Sequence, residues 1–270
     1  MNDHPVGSFY DQSAQREWER LERHRVEFLV TQRALLEHLT AANLQIADIG
    51  GGPGRYTIFL AGLGHHLTLV DLSQVEIRIA LEQAERAGIA IGQTLQANAL
   101  DLSSLPEAHF DAVLILGPLY HLQEEAERCQ AVSQAMRILK PGGILFAAFI
   151  TIFAPFRDYA ATDPDTVFIE RVEWLKMLQD GRNFGEGFPG AFFSHPDRLI
   201  SFMEGCGLET IKMIGVEGVV AAHEEKINLL QGKVLDFWVE LNYRLGEDPA
   251  CWGAANHLLY IGQKPADKNA

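Results

Sequence analysis

The chain has 270 residues, 47% of them hydrophobic and 21% charged, which suits one large globular domain or one domain with additions. Its formal net charge of −14 argues against a nucleic-acid partner, because that kind of binding needs a face rich in Lys and Arg. No apolar run approaches the length of a membrane span and no secretory pattern opens the sequence, so we expect a cytoplasmic protein without a membrane partner. The three cysteines show no C-x-x-C spacing, and no metal site is predicted.

The amino-terminal part, residues 1–43, is predicted to form a helical arm or lid. Residues 1–15 are polar and carry an aromatic pair, Phe9 and Tyr10. Over residues 17–39 apolar side chains recur at helical spacing, which predicts one long amphipathic helix.

A glycine-rich stretch, ADIGGGPGRY at residues 47–56, follows a short apolar segment and precedes a run with helical spacing. This order predicts a strand, a tight turn and a helix, the local form of a nucleotide-type site in an α/β sheet. Gly50 would make the turn, Gly52 would let backbone approach a ligand, and Gly54 would let helix and strand pack closely. Asp48 stands at the strand's carboxyl end, where such sheets bind ligands.

The second predicted strand ends at Asp71, which lies 21 positions after Gly50. This is close to the offset of about 20 residues at which an acid meets a ribose in nucleotide-binding α/β units. A carboxylate suits that role because it accepts hydrogen bonds from both ribose hydroxyls. An N-cap of the following helix is the alternative interpretation of Asp71, and the two roles are compatible.

Five more strands are predicted along the chain, at residues 94–97, 110–116, 144–150, 209–216 and 258–261. The insertion at about residues 151–194 is rich in aromatic residues and contains a predicted helix near residues 166–178, and a further helix is predicted at about residues 195–204. A second helical insertion is predicted at residues 223–245. We therefore divide the chain into an arm (1–43), a core (44–150), a cap insertion (151–195) and the remaining part of the core sheet (196–264).

Four ordered motifs, ADIGGGPGRY, LTLVD, FDAVLILGPLYHL and LKPGG, resemble those of the class I S-adenosylmethionine (AdoMet) methyltransferases. The glycine spacing is D-x-G-x-G-x-G, and Arg55 stands where a dinucleotide site would have its third glycine. The resemblance covers about residues 44–150 and the last two strands, and is to bacterial small-molecule enzymes with G-P-L-Y-H after strand four. It implies an α/β fold with a Rossmann-like seven-stranded sheet of order 3-2-1-4-5-7-6, strand 7 antiparallel, flanked by helices and carrying helical cap insertions.

The same resemblance implies AdoMet as cofactor, S-adenosylhomocysteine as product, and methyl transfer to an oxygen or nitrogen of a small organic molecule. Tyr10 and Arg20 would reach the cofactor if the arm folds over the site, although Arg20 could equally pair with glutamates on a solvated helix. Asn98 stands where the family has an acid that accepts from the adenine amino group, and its amide oxygen can accept that bond. The cofactor-binding residues implied are Asp48, Gly50, Gly52, Gly54, Asp71, Leu72, Asn98, Ala99, Leu116, Tyr10 and Arg20.

The acceptor side is expected just past strand four and in the insertions. Gly117 replaces the Asn or Asp that amino-methylating relatives use at this place, which argues against an exocyclic amine of nucleic acid as acceptor. His121 and Tyr120 are the candidate catalytic residues, but His121 could equally cap the next helix, and Tyr120 could shape the pocket. The candidate substrate-binding residues are Tyr120, Phe153, Arg157, Glu217 and His257.

Two other functions remain open at this stage. An AdoMet-binding protein without turnover, such as a regulatory subunit, would carry the same cofactor motifs. An RNA or protein methyltransferase would need an open charged groove, whereas the aromatic insertions predict an enclosed apolar pocket for a small molecule. We expect a monomer or homodimer.

Overall fold

The computed structural model describes residues 5–185, 188 and 190–266, so the first four residues of the predicted arm lie outside the description. Within these residues, seven strands form one mixed sheet of order β3-β2-β1-β4-β5-β7-β6. Strands β1 to β5 pair in parallel, and β7 lies antiparallel between β5 and β6. The predicted fold and strand order are confirmed. The strands are β1 Gln45–Ile49, β2 His66–Asp71, β3 Gln93–Gln96, β4 Phe110–Ile115, β5 Leu139–Ile150, β6 Glu209–Gly215 and β7 His257–Gln263.

Helices cover both faces of the sheet and build the cap. None of those that the structure describes has both the length and the hydropathy needed to cross a membrane. The helices are α1 Pro5–Arg23, α2 Arg25–His38, α3 Arg55–Gly62, α4 Gln74–Arg86, α5 Glu125–Ile138, α6 Ala154–Thr162, α7 Pro164–Ile169, α8 Arg171–Asp180, α9 Pro196–Gly205, α10 Glu224–Asn228, α11 Gly232–Gly246 and α12 Pro249–Trp252. Short 3-10 turns follow β4 and β6 at Pro118–His121 and Gly218–His223.

The central strands are buried on both faces because successive side chains alternate between two apolar layers. Ile46 and Leu114 face the layer formed with α2, α3 and α11. Ala47 and Val113 face the opposite layer, formed with α5 and α9. This double cover fixes the sheet and leaves the carboxyl ends of its parallel strands as the edge where a ligand can bind.

The prediction of one long helix over residues 17–39 is wrong. Helix α1 begins at Pro5, so residues 5–15 of the segment predicted as a polar arm are helical, and the helix is interrupted at His24 before α2. The imidazole Nδ1 of His24 lies 2.9 Å from a carboxylate oxygen of Glu224 on α10. A contact with a residue 200 positions away is associated with this break, and helical periodicity alone carries no signal of it.

Both predicted insertion helices are also interrupted. The helix expected at 166–178 is divided at Glu170 into α7 and α8, and α6 precedes them without having been predicted. The helix expected at 223–245 is divided into α10 and α11. Gly232 begins α11 with φ of +55°, a left-handed conformation that a continuous helix does not contain.

Candidate functional site

A cavity lies at the carboxyl ends of β1, β2 and β4, and α1 covers it. The glycine loop after β1 forms its floor, and the segments after β2, β3 and β4 form its walls. It is lined by Val6, Gly7, Tyr10, Glu17, Arg20 and Leu21 of α1, by Asp48, 50–53, Arg55 and Tyr56, by 71–73 and Glu76, by 97–99, and by 116–118 and 120–122.

The glycine loop is held in a conformation that side chains would disrupt. Gly50, Gly52 and Gly54 have φ of +66°, +55° and +81°. A Cβ atom on Gly50 would lie 2.5 Å from Cγ of Pro118. The backbone of the glycine loop therefore packs directly against the Pro118 ring in the segment after β4. A Cβ on Gly54 would lie 2.8 Å from Cβ of Ala80 on α4. Gly54 therefore allows α3 to pack against α4, whereas the sequence predicted packing of helix on strand.

Gly117 has a structural reason to be glycine. Its Cβ would lie 3.2 Å from the carbonyl oxygen of Gly50, a tight approach for any side chain. The two glycines thus bring the glycine loop and the end of β4 together in the cavity lining. An Asn or Asp at this position would have to open that contact.

Asp48 is almost completely buried, with 1% of its surface exposed. The hydroxyl of Thr57 on α3 donates to its carboxylate at 2.7 Å. Burial raises the pKa of Asp48 to about 6, although the bond from Thr57 opposes that shift. Asp48 thereby ties the start of α3 to the end of β1 and lines the cavity from below.

Asp71 lies where the sequence places it, at the end of β2 and in the cavity wall. Its two carboxylate oxygens accept from the backbone N–H of Gly52 and of Ser73, both at 2.8 Å. Burial raises its pKa to about 6, against the effect of these bonds. Ser73, whose hydroxyl accepts from the N–H of Glu76, is the N-cap of α4. The alternative prediction of Asp71 as that cap is therefore wrong.

The segments after β2, β3 and β4 place the other predicted cofactor residues around the same space. Leu72, Asn98, Ala99 and Leu116 all line the cavity. The side-chain oxygen of Asn98 accepts from the N–H of Leu100 at 2.9 Å, a local turn that fixes the amide at the wall. A carbonyl oxygen has two lone pairs, so this bond leaves acceptor capacity for a ligand amine.

An aromatic cluster lies where α1, the turn after β4 and the cap loop meet. The hydroxyl of Tyr10 lies 2.7 Å from Nε2 of His121, and the two rings pack edge to face. Phe188 of the cap loop packs on His121 and Tyr120, with ring centroids 4.8 and 6.1 Å away. The backbone N–H of Phe192 donates to the carbonyl of Tyr120 at 2.9 Å. Both candidate catalytic residues therefore lie in the cavity wall beneath the cap.

A buried ionic network continues from the cavity into the sheet. Arg20 donates two hydrogen bonds to Glu27, at 2.6 and 2.9 Å, and one to Glu17 at 2.7 Å. A carboxylate oxygen of Glu27 lies 3.8 Å from Nδ1 of His257, and that nitrogen is hydrogen-bonded to Glu217. Glu217 also accepts from the backbone N–H of His257 at 2.8 Å. Arg20 is thus an ion-pair partner of Glu17, as one interpretation held, but it faces the cavity and not solvent.

The charges in this network compensate one another. Burial would raise the pKa of Glu27, but Arg20 and then His257 outweigh it and lower that pKa to about 2. Burial would lower the pKa of His257, but Glu27 and Glu217 raise it to about 9. The ligand atoms of Glu27, Glu217 and His257 lie within 4.8 Å of one another, as in a metal site. The positive charges of Arg20 and of the protonated His257 offset the negative charges of Glu27 and Glu217. We therefore assign the cluster to an ion-pair network.

Four of the five candidate substrate residues lie outside the cavity lining, and only Tyr120 belongs to it. Glu217 and His257 are deeper, in the ionic network. Arg157 donates to the carbonyl oxygens of residues 253 and 255 and to the side chain of Asn256, which ties the cap to the loop before β7. Phe153 packs edge to face on His195 and against the cap's own core.

Sequence reasoning missed three residues at this site. Phe188 lies in the aromatic-rich insertion, where nothing in the sequence singles it out, and Glu27 is one of several polar positions on the predicted amphipathic helix. Glu76 belongs to a Ser-x-x-Glu pattern with Ser73, which is visible in the sequence and typical of a helix start. That pattern could have drawn attention to Glu76, although not to its place in the cavity wall.

Comparison with known proteins agrees with this geometry. A family profile described as a methyltransferase domain matches residues 46–143. A ubiquinone biosynthesis O-methyltransferase of Colwellia psychrerythraea is 28% identical over 76% of this chain and 78% of its own length. A ubiquinone/menaquinone biosynthesis C-methyltransferase, UbiE, of Shewanella sediminis is 27% identical over 67% and 73%. The family profile and the curated relatives support a class I AdoMet-dependent methyltransferase.

The chain shares its fold with another protein whose structure has been solved. A SAM-dependent methyltransferase of Thermotoga maritima, titled a possible histamine N-methyltransferase, superposes with a TM-score of 0.59 at 18% identity, over 96% of this chain and 99% of that one. At this identity the likeness shows the fold alone. AdoMet is the cofactor of this enzyme class, and the cavity fits it: a glycine loop with left-handed turns stands beside acids at the ends of β1 and β2.

Proposed function

We propose that this methyltransferase transfers the methyl group of AdoMet to an oxygen or nitrogen of a small organic molecule. The observation that supports this most is the aromatic cluster over the cavity, in which Phe188 of the cap contacts both Tyr120 and His121. Such a cover excludes water and favours an apolar or aromatic acceptor over an exposed strand of nucleic acid or a protein surface. The net charge of −14 is a further argument against nucleic acid.

The residues around the glycine loop are proposed to hold the cofactor. Asp71 would accept from the ribose hydroxyls, and Asn98 with the backbone of Ala99 would bind the adenine. Arg20 and Tyr10 of α1 also line the cavity and would contact the methionine part. AdoMet supplies a methyl group already activated by a sulfonium, so the protein's task is to align the acceptor and exclude water.

At the acceptor side, His121 is proposed to take the proton of a hydroxyl or ammonium acceptor, and Tyr120 to shape the pocket. His121 suits that role because an imidazole nitrogen can accept a proton from a substrate held against it. Its Nε2 lies in hydrogen-bond contact with Tyr10, which orients the ring. Among the curated relatives, the one named a ubiquinone biosynthesis O-methyltransferase favours an oxygen acceptor.

Incubation with methyl-labelled AdoMet and a panel of phenols, catechols, amines and aromatic carboxylates tests this proposal. We expect label in at least one small molecule, and a loss of about 100-fold in turnover for His121→Ala, the usual scale of general base catalysis. His109→Ala, a change at an exposed histidine before β4, is the matched control and should leave turnover unchanged. Label that enters only RNA or protein would contradict the proposal, and AdoMet binding without any turnover would favour a non-catalytic protein.

A further inference from the structure

Glu76 is the most unusual acid in the cavity wall. It lies in the first turn of α4 with 1% of its surface exposed. Both of its carboxyl oxygens are buried and have no hydrogen-bond partner among the described residues, although the residue lines the cavity. Because an unpartnered buried acid lowers stability, its presence in this wall points to a ligand that supplies the missing partners.

The local sequence explains why Glu76 lacks its usual partner. Ser73 and Glu76 form the Ser-x-x-Glu pattern of a capping box, and the Ser73 hydroxyl accepts from the Glu76 N–H at 3.1 Å. In a complete box the glutamate would accept from the N–H of the cap residue. Here the N–H of Ser73 donates to Asp71 at 2.8 Å. Asp71 thus accepts the Ser73 N–H that Glu76 would otherwise accept. The carboxyl group of Glu76 is left without that partner in the cavity lining.

Asp71 and Glu76 flank the same glycine. The N–H of Gly52 donates to Asp71 at 2.8 Å, and a Cβ on Gly52 would lie 3.8 Å from a carboxyl oxygen of Glu76. Burial raises the pKa of Glu76 to about 9, and the nearby charges of Asp71, Glu17 and Asp11 add to the rise. A neutral carboxyl group beside an ionised one offers both a donor and acceptors to a neighbouring hydroxyl pair.

We propose that Glu76 is a second sugar-binding residue, which together with Asp71 binds the vicinal diol of the cofactor's nucleoside. The two carboxyl groups present acceptors on either side of Gly52, and a diol carries two hydroxyl donors. This inference rests on the proposed cofactor role of Asp71. It adds a residue from the first turn of α4 to the acid that ends β2.

Opposite changes in stability and binding test the inference. Glu76→Leu removes both oxygens while keeping a buried side chain of similar size. We expect the ligand-free variant to melt several degrees above wild type, because a buried unpartnered acid is gone. We expect its dissociation constant for S-adenosylhomocysteine to rise about tenfold, the scale of one or two lost hydrogen bonds. Glu85→Leu, on the exposed side of the same helix, should bind as wild type.

Deoxy analogues identify the part of the ligand that Glu76 contacts. Wild type should bind the 2′-deoxy or the 3′-deoxy analogue of S-adenosylhomocysteine about tenfold less tightly than the parent, and Glu76→Leu should show little of that difference. Binding of the parent by Glu76→Leu as tight as that of wild type would overturn the inference, and so would an equal deoxy penalty in both proteins. Failure of wild type to bind the parent compound would overturn the proposed cofactor site itself, a distinct result.

Discussion

Replacing Gly50 with alanine is expected to weaken S-adenosylhomocysteine binding by about 100-fold. The new Cβ would lie 2.5 and 2.6 Å from two ring carbons of Pro118, and a proline ring cannot turn away as a flexible side chain would. Overpacking of this kind costs about 1–3 kcal/mol, and the φ of +66° adds about 1 kcal/mol for a residue with a Cβ. The loop must therefore move away from the segment after β4, and the floor of the cavity moves with it.

Gly64→Ala is the matched control for this change. Gly64 also has a left-handed φ, +91°, but a Cβ there would meet nothing within 4 Å. This variant carries the backbone strain without the clash, so it should lose about 1 kcal/mol of stability and no affinity. Titration calorimetry and thermal melting of the two variants separate the effects. Wild-type affinity in Gly50→Ala would show that the contact with Pro118 does not shape the cofactor site.

Replacing Glu27 with glutamine is expected to lower the free energy of unfolding by about 3 kcal/mol or more. The carboxylate of Glu27 lies between Arg20 and His257, and its loss leaves two buried positive groups without their shared partner. Breaking a buried ion pair by removing one member costs about 3–5 kcal/mol. Urea unfolding measures the change as a shift in midpoint at constant slope. Glu19→Gln is the control, because its pair with Arg23 is exposed at 3.8 Å and should contribute less than about 1 kcal/mol.

The effect of Glu27→Gln should also depend on pH. The pKa of Glu27 falls from an ordinary 4.5 to about 2 in the folded state, so its contribution is present above pH 4.5 and disappears as the pH falls through 2. The pKa of His257 rises from 6.5 to about 9, so its contribution is present below pH 6.5 and disappears as the pH rises through 9. The difference between wild type and variant should be largest between about pH 4.5 and 6.5. An equal difference at pH 9 would contradict the account of the network.

The sequence predicted the features that depend on local pattern. The glycine loop and the acid at the end of β2 followed from local pattern, because neighbouring residues determine turns and strand ends. The order of the strands came from the resemblance to a known family. The break at His24 did not follow, since it coincides with a contact to Glu224 on a distant element. The ionic network joins Glu27 to residues 217 and 257 for the same reason. The role of Glu76 could be predicted only in part. The capping pattern is visible in the sequence, but Asp71 accepts the Ser73 N–H that the pattern assigns to Glu76.

Calorimetric titration with AdoMet and S-adenosylhomocysteine, on wild type and Asp71→Ala, tests whether the cavity binds AdoMet through Asp71. Asp101→Ala is the control, because that acid accepts from the N–H of Ser103 in an exposed turn. We expect wild type and Asp101→Ala to bind both compounds, and we expect binding to collapse in Asp71→Ala, which loses the proposed ribose acceptor. Absence of binding to either compound in wild type would contradict the assignment of the glycine loop as the cofactor site.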